Sequence, residues 1–156
     1  MKVVLVSVGR PSALLEGAIR EYESRAARYW KFETVEVSPE KASKNRPVTE
    51  VRAAEAERIR AAVPQGADLV ALTRTGKSWG SRELAVYLND LAVAGAPGTA
   101  FVIGGAWGLD RGLLREARHQ LSLSTLTMPH DLARLVLAEQ LYRAGTIVRG
   151  EPYHKG

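Results

Sequence analysis

The chain has 156 residues, 46% of them hydrophobic, which is enough apolar material for one domain with one sizeable core. It contains no cysteine, which excludes disulfides and thiolate metal sites, and His119, His130 and His154 lack a local metal-ligand spacing, so no metal is expected. Lys and Arg number 22 against 17 Asp and Glu, and a net charge of +5 attracts polyanions, which makes nucleic acid a reasonable partner.

The opening MKVVLVSVGRP imitates a secretion signal, but its apolar run is short and Gly9, Arg10 and Pro11 end it without a cleavage pattern. It reads instead as a first strand over Lys2 to Val8. No later segment has the length of an apolar membrane span, so a soluble cytoplasmic protein is expected. A helix follows from about Ser12 to Lys31, with Leu15, Ala18, Ile19, Tyr22, Ala26 and Tyr29 on one stripe at helical spacing. A second strand covers Thr34 to Val37.

Residues 38 to 47, SPEKASKNRP, carry Lys41, Lys44 and Arg46 and no large apolar side chain. A solvated loop and a basic arm gripping RNA phosphates both fit that composition. A second helix runs from about Thr49 to just before Pro64, and a third strand covers Asp68 to Thr73. Next comes LTRTGKS, the ending of a phosphate-binding loop without its beginning, because Ala71 stands where the motif needs glycine. Nucleotide hydrolysis is therefore excluded, and Lys77 is a surface lysine or a substrate contact.

A third helix places Leu84, Tyr87, Leu88 and Leu91 on one side and stops at Gly95, Pro97 and Gly98. The fourth strand, Ala100 to Ile103, runs into IGGAWGL, whose Gly104, Gly105 and Gly108 let a ligand lie against bare backbone. That spacing is not the dinucleotide fingerprint. A fifth strand over Ser122 to Thr127 lies within LSLSTLTMPH and breaks at Pro129. The last helix starts there, and Leu132, Leu135, Val136, Leu137, Leu141 and Tyr142 cover more than one of its faces. Such breadth suits burial by the sheet on one side and by a second subunit on the other, so a homodimer is expected. Glu139 and Arg143 form an i,i+4 pair that is either an exposed helix pair or part of an active-site rim. The tail RGEPYHKG gathers Arg149, Tyr153, His154 and Lys155 beyond any packed element.

Strands alternating with helices define an α/β protein with a mostly parallel sheet and flanking helices, and in such folds ligands bind beyond the C-terminal strand ends. The glycine turn at 104–108 and the loop at 123–130 both belong to that edge.

The order of IGGxxG, LSxLTxPH, AEQLYRA and PYHK along a chain of this length closely resembles the ribosomal RNA large subunit methyltransferase H family of the SPOUT superfamily. The resemblance covers the whole chain and is strongest from Gly104 onward. It implies a single SPOUT methyltransferase domain over residues 1–156 with a C-terminal trefoil knot, a feature that general topology rules argue against and that only the resemblance supplies. It also implies S-adenosyl-L-methionine as cofactor, an obligate homodimer, and methylation at N3 of a pseudouridine in 23S ribosomal RNA of the assembled 70S ribosome. Carried over by position, the cofactor contacts fall on Leu72, Gly104, Leu123, Ser124, Thr125, Leu126, Thr127 and Met128. The catalytic candidates are His130 or His154 as acceptor of the N3 proton, Arg143 steadying the anionic base, and Tyr153 packing against it. The short tail suggests that one subunit completes the other's pocket. Two positions depart from the family pattern: Ala106 with Trp107 inside the glycine motif, and Gly145 after the last helix. A SPOUT enzyme acting on tRNA and a non-catalytic ribosome-associated RNA-binding protein are the alternatives.

Overall fold

A computed structural model describes residues 1–156. In chain order the elements are β1 (Lys2–Val8), α1 (Ala13–Ala26), β2 (Lys31–Val37), α2 (Val48–Ala62), β3 (Asp68–Ser78), α3 (Ser81–Val93), β4 (Gly98–Ile103), α4 (Arg111–Glu116), β5 (His119–Ser122) and α5 (His130–Val148). The five strands form one sheet in the order β2-β1-β4-β3-β5, every pair parallel. Parallel strands need crossover connections, and the helices that provide them cover both faces.

The pleat sends alternate residues of one strand into two cores. Val3, Leu5, Val70, Phe101 and Ile103 pack against α1, α3 and α5 through Ala26, Leu88, Leu137 and Leu141. Val4, Val6, Val8, Ala100 and Val102 pack against α2 and α4 through Ala56, Ile59 and Leu113. This double burial is why β1 and β4 read as unbroken apolar runs while the edge strand β2, KFETVEV, alternates.

Several element boundaries differ from the sequence reading. α1 ends at Ala26, and Lys31 already pairs with Lys2 in the sheet, so β2 begins three residues before Thr34. The turn between them is fixed by Trp30, whose indole N–H donates to the Leu141 carbonyl at 2.9 Å. β3 continues through Ser78, with its register against β5 shifting between Leu72 and Lys77. A Cβ on Gly76 would stand 2.5 Å from the Gln120 carbonyl oxygen, so the glycine of the GK pair serves strand contact and Lys77 points outward as an exposed residue. The six-residue α4 is too short to show a helical stripe, but Asp110 caps it by accepting from Leu113 N–H at 3.1 Å.

β5 ends at Ser122, where the sequence reading had it begin. The Ser122 hydroxyl lies 3.1 Å from the Arg74 carbonyl and 3.0 Å from that of Ser124, so a side chain takes over from the ladder and turns the chain out of the sheet. The alternation of leucine with hydroxyl residues beyond that point belongs to a loop.

α5 packs between α1 and α3. Its breadth of apolar surface is thereby largely satisfied within one chain, since Leu137, Leu141 and Ala144 are fully buried. Gly145 sits inside this helix, not after it, and a Cβ there would overlap the Tyr29 ring. One buried cation joins three elements: Arg134 of α5 donates to Glu23 of α1 at 2.7 Å and Glu36 of β2 at 3.0 Å. Burial opposes the Arg134 charge, but the hydrogen-bonded Glu23 and Glu36 outweigh it and raise the pKa.

Candidate active site

A cavity of about 970 Å³ opens at the C-terminal edge of the sheet, between the ends of β3 and β4, the loop after β5 and the first turn of α5. This is the edge where parallel α/β sheets bind ligands, because the loops leaving the strands diverge there. Leu72 comes from β3, Gly104 from the turn after β4, and Leu123, Ser124, Leu126, Thr127 and Met128 from the loop. Thr125, the remaining candidate contact, does not line the cavity and is exposed. The loop is held by Ser124, whose hydroxyl accepts from Leu126 N–H at 3.0 Å.

The glycine turn forms the opposite wall. Gly108 N–H donates to the Gly105 carbonyl at 3.1 Å, and Gly108 takes φ +80°, which favours glycine. Arg52 of α2 clamps the turn from outside, its Nε donating to the Trp107 carbonyl at 2.6 Å. Arg52, Trp107 and Arg111 all line the cavity, and sequence reading assigned no role to either arginine.

His130 lines the cavity from the start of α5, and its Nε2 lies 3.0 Å from the Arg10 carbonyl. That contact makes Nε2 the protonated nitrogen and leaves Nδ1 as the acceptor of the neutral ring. The next residue, Asp131, anchors α1 to α5 by accepting from Ser12 N–H at 3.1 Å and from Leu132 N–H at 2.9 Å. The Ser12 hydrogen bonds are the main reason its carboxyl lies below the ordinary range.

The other three catalytic candidates cluster elsewhere. Arg143 lies thirteen residues after His130 on α5, about 20 Å along the axis at 1.5 Å per residue. Its Nη2 donates to Glu139 at 2.6 Å, its Nη1 lies 3.2 Å from His154 Nδ1, and its guanidinium sits 4.7 Å from the Tyr153 ring centroid. Tyr153 packs at a tilt against Tyr142, centroids 4.5 Å apart, and donates to Glu139 at 3.0 Å. Burial, then that hydrogen bond, pushes the Tyr153 phenol up to about 12, so it remains protonated at neutral pH. The tail is therefore folded onto α5 and not loose, with Glu139 accepting from both Tyr153 and Arg143.

The basic segment 38–47 is also pinned. Arg46 donates to Glu40 at 2.6 Å, Arg58 binds the same carboxylate, and Glu40 N–H donates to Glu55 at 3.0 Å. Lys41 and Lys44 stay exposed. No group of three or more His, Cys, Asp or Glu side chains is arranged to hold a metal ion, and no helix is long and apolar enough to cross a membrane.

A parallel sheet, a glycine turn and a loop after the last strand together frame one cavity at the ligand-binding edge of an α/β fold. Residues 1–154 match the family described as predicted SPOUT methyltransferase, and the chain belongs to that family. The ribosomal RNA large subunit methyltransferase H of Gemmatimonas aurantiaca is 47% identical over 156 residues, covering 99% of this chain and 100% of its own length. That of Acetivibrio thermocellus is 42% identical over 159 residues, covering 99% and 100%. Among solved structures, a probable methyltransferase from Bordetella pertussis Tohama I shares the fold with a TM-score of 0.56 at 20% identity, covering 92% of this chain and 93% of its own. A probable methylase family protein from Haemophilus influenzae Rd KW20 also has a TM-score of 0.56, at 17% identity, covering 99% and 70%.

Proposed function

We propose that this protein transfers a methyl group from S-adenosyl-L-methionine to N3 of a pseudouridine in 23S ribosomal RNA of the assembled 70S ribosome. The observation that carries the reading is the cavity at the C-terminal sheet edge, into which Leu72, Gly104 and the loop 123–128 converge in a chain alike end to end with large-subunit rRNA methyltransferases. The residues fit the cofactor. Leucine and methionine side chains with exposed glycine backbone make an apolar slot edged by peptide donors and acceptors, as an adenosine moiety requires. A Cβ on Gly104 would fill space already taken by Gly108, so the wall has no room to narrow further.

When bound, S-adenosyl-L-methionine supplies a methyl group on an electrophilic sulfonium. The protein's part is to align the RNA base with that carbon and to take the N3 proton. His130, held through Nε2 to Arg10, presents Nδ1 as an acceptor at the cavity wall. His154 is the second candidate, with Arg143 steadying the anionic base and Tyr153 packing beside it. Since a single chain separates these from His130 by about 20 Å, we assign them to a shared site: in a homodimer, the Arg143–Tyr153–His154 face of one subunit meets the cavity of the other. Exposed apolar residues support such an interface, with Leu14 at 88%, Leu126 at 73% and Leu132 at 37% exposure, because the Ser12–Asp131 bond places the starts of α1 and α5 together. In this reading residues 1–156 form one domain, whose C-terminal segment threads a trefoil knot, acting in the cytoplasm.

The experiment is transfer of labelled methyl from S-adenosyl-L-methionine to ribosomes lacking the modification, comparing 70S particles, free 50S subunits and tRNA. Label in 70S particles is expected. Label on tRNA would keep the chemistry and overturn the target, and cofactor binding without transfer to any RNA would favour a non-catalytic RNA-binding role.

A further inference from the structure

The three tryptophans have different surroundings. Trp30 donates its indole N–H to Leu141, and Trp79 packs at a tilt 5.0 Å from Tyr87 and edge-on 5.1 Å from His119. Trp107 pairs with no aromatic ring, is 46% exposed, and stands at the tip of the glycine turn on the cavity wall. An exposed indole on a backbone held by Arg52 and by the Gly108–Gly105 hydrogen bond is a preorganised flat surface. Around it the cavity is lined by Arg52, Arg74 and Arg111 and by no carboxylate. Arg74 and Arg111 are exposed and belong to no ion pair, unlike Arg58 and Arg60 of the neighbouring α2.

We infer that Trp107 and these arginines form the nucleotide grip of the pocket, the indole stacking on a base of single-stranded RNA while Arg74 and Arg111 contact its phosphates. The inference rests on the proposed rRNA methylation and adds the residues that hold the substrate. Charge favours RNA as occupant, since three arginines with no carboxylate among the lining residues attract phosphate. Stacking also suits a position next to the methyl donor, because a base presented for methylation has to be splayed out of its helix.

The test uses the full-length protein and unmodified 70S ribosomes. Removing a stacked aromatic lowers affinity by roughly tenfold or more per base. Trp107→Ala is therefore expected to raise KM for ribosomes about tenfold or more, with little change in kcat, in the S-adenosyl-L-methionine dissociation constant or in oligomeric state. Trp107→Phe should recover most of the loss, and Arg111→Gln should reduce the slope of log affinity against log salt by about 1. An unchanged KM for ribosomes overturns the inference. So does weakened cofactor affinity, which would make the rim part of the cofactor site, and so does dissociation to monomers, which would make Trp107 a subunit contact. Wild-type protein in the same assay separates the two claims: transfer by wild type with an unaltered Trp107→Ala sinks the grip alone, whereas no transfer by wild type sinks the function and the grip together.

Discussion

A Cβ on Gly104 would stand 2.9 Å from the Gly108 carbonyl carbon and 3.0 Å from Leu109 Cγ, so even alanine forces the turn outward. Gly104→Val is expected to abolish S-adenosyl-L-methionine binding by displacing the Gly108–Leu109 wall of the slot. Isothermal titration reads this directly, and unchanged affinity would place the cofactor elsewhere. His130→Ala is expected to lower kcat while leaving cofactor affinity within about twofold, since the ring contributes an acceptor and not the slot; a general acid–base group is typically worth about 10²–10⁴-fold. The glycine turn and the loop at 123–130 could be placed at the C-terminal sheet edge from local sequence, whereas the individual cofactor candidates came only from the family resemblance. The grip of Arg52 on Trp107 was not legible, because α2 meets the β4 turn only across 55 residues of sequence.

At the scale of elements, the last helix is held by charge as much as by packing. Arg134 is 4% exposed, and its loss leaves Glu23 half-buried without its cation. Arg134→Ala should cost about 3–5 kcal/mol in denaturant unfolding, more than a surface pair would. Asp131 gives a pH-dependent contribution. Its folded pKa is depressed below the ordinary 3.8, so its stabilisation is present above pH 3.8 and is lost as pH falls through the lower folded value. Asp131→Ala should therefore be destabilised by about 1–2 kcal/mol at neutral pH, with the difference from wild type shrinking in acid below that range. A constant difference down to the acid limit would contradict the assignment. β1 and β4 were readable from apolar runs with turn residues after them. β5 was misplaced because periodicity records burial, and Leu121 and Leu123 are sheltered on either side of the point where Ser122 ends the ladder.

At the scale of the molecule, α/β alternation was enough to anticipate a parallel sheet with its binding edge, whereas strand order and chain threading depend on long-range packing that periodicity does not record. The breadth of the α5 apolar face pointed to a partner, yet α1 and α3 bury most of it, and the argument for a dimer now rests on the division of the catalytic candidates between two ends of α5. Subunit mixing tests that division. A Gly104→Val subunit and a subunit lacking residues 152–156 should each be inactive as homodimers. Mixed at random they should regain about a quarter of wild-type activity, because half of the dimers carry one complete site. No recovery on exchange would confine each site to one chain.

The most direct measurement is nucleoside mass spectrometry of 23S rRNA from unmodified 70S ribosomes incubated with this protein and S-adenosyl-L-methionine. The account predicts a single pseudouridine converted to its N3-methyl form, and no conversion when Gly104→Val replaces the wild type. Methylation of another nucleotide, or of 23S rRNA by the Gly104→Val protein, would contradict it.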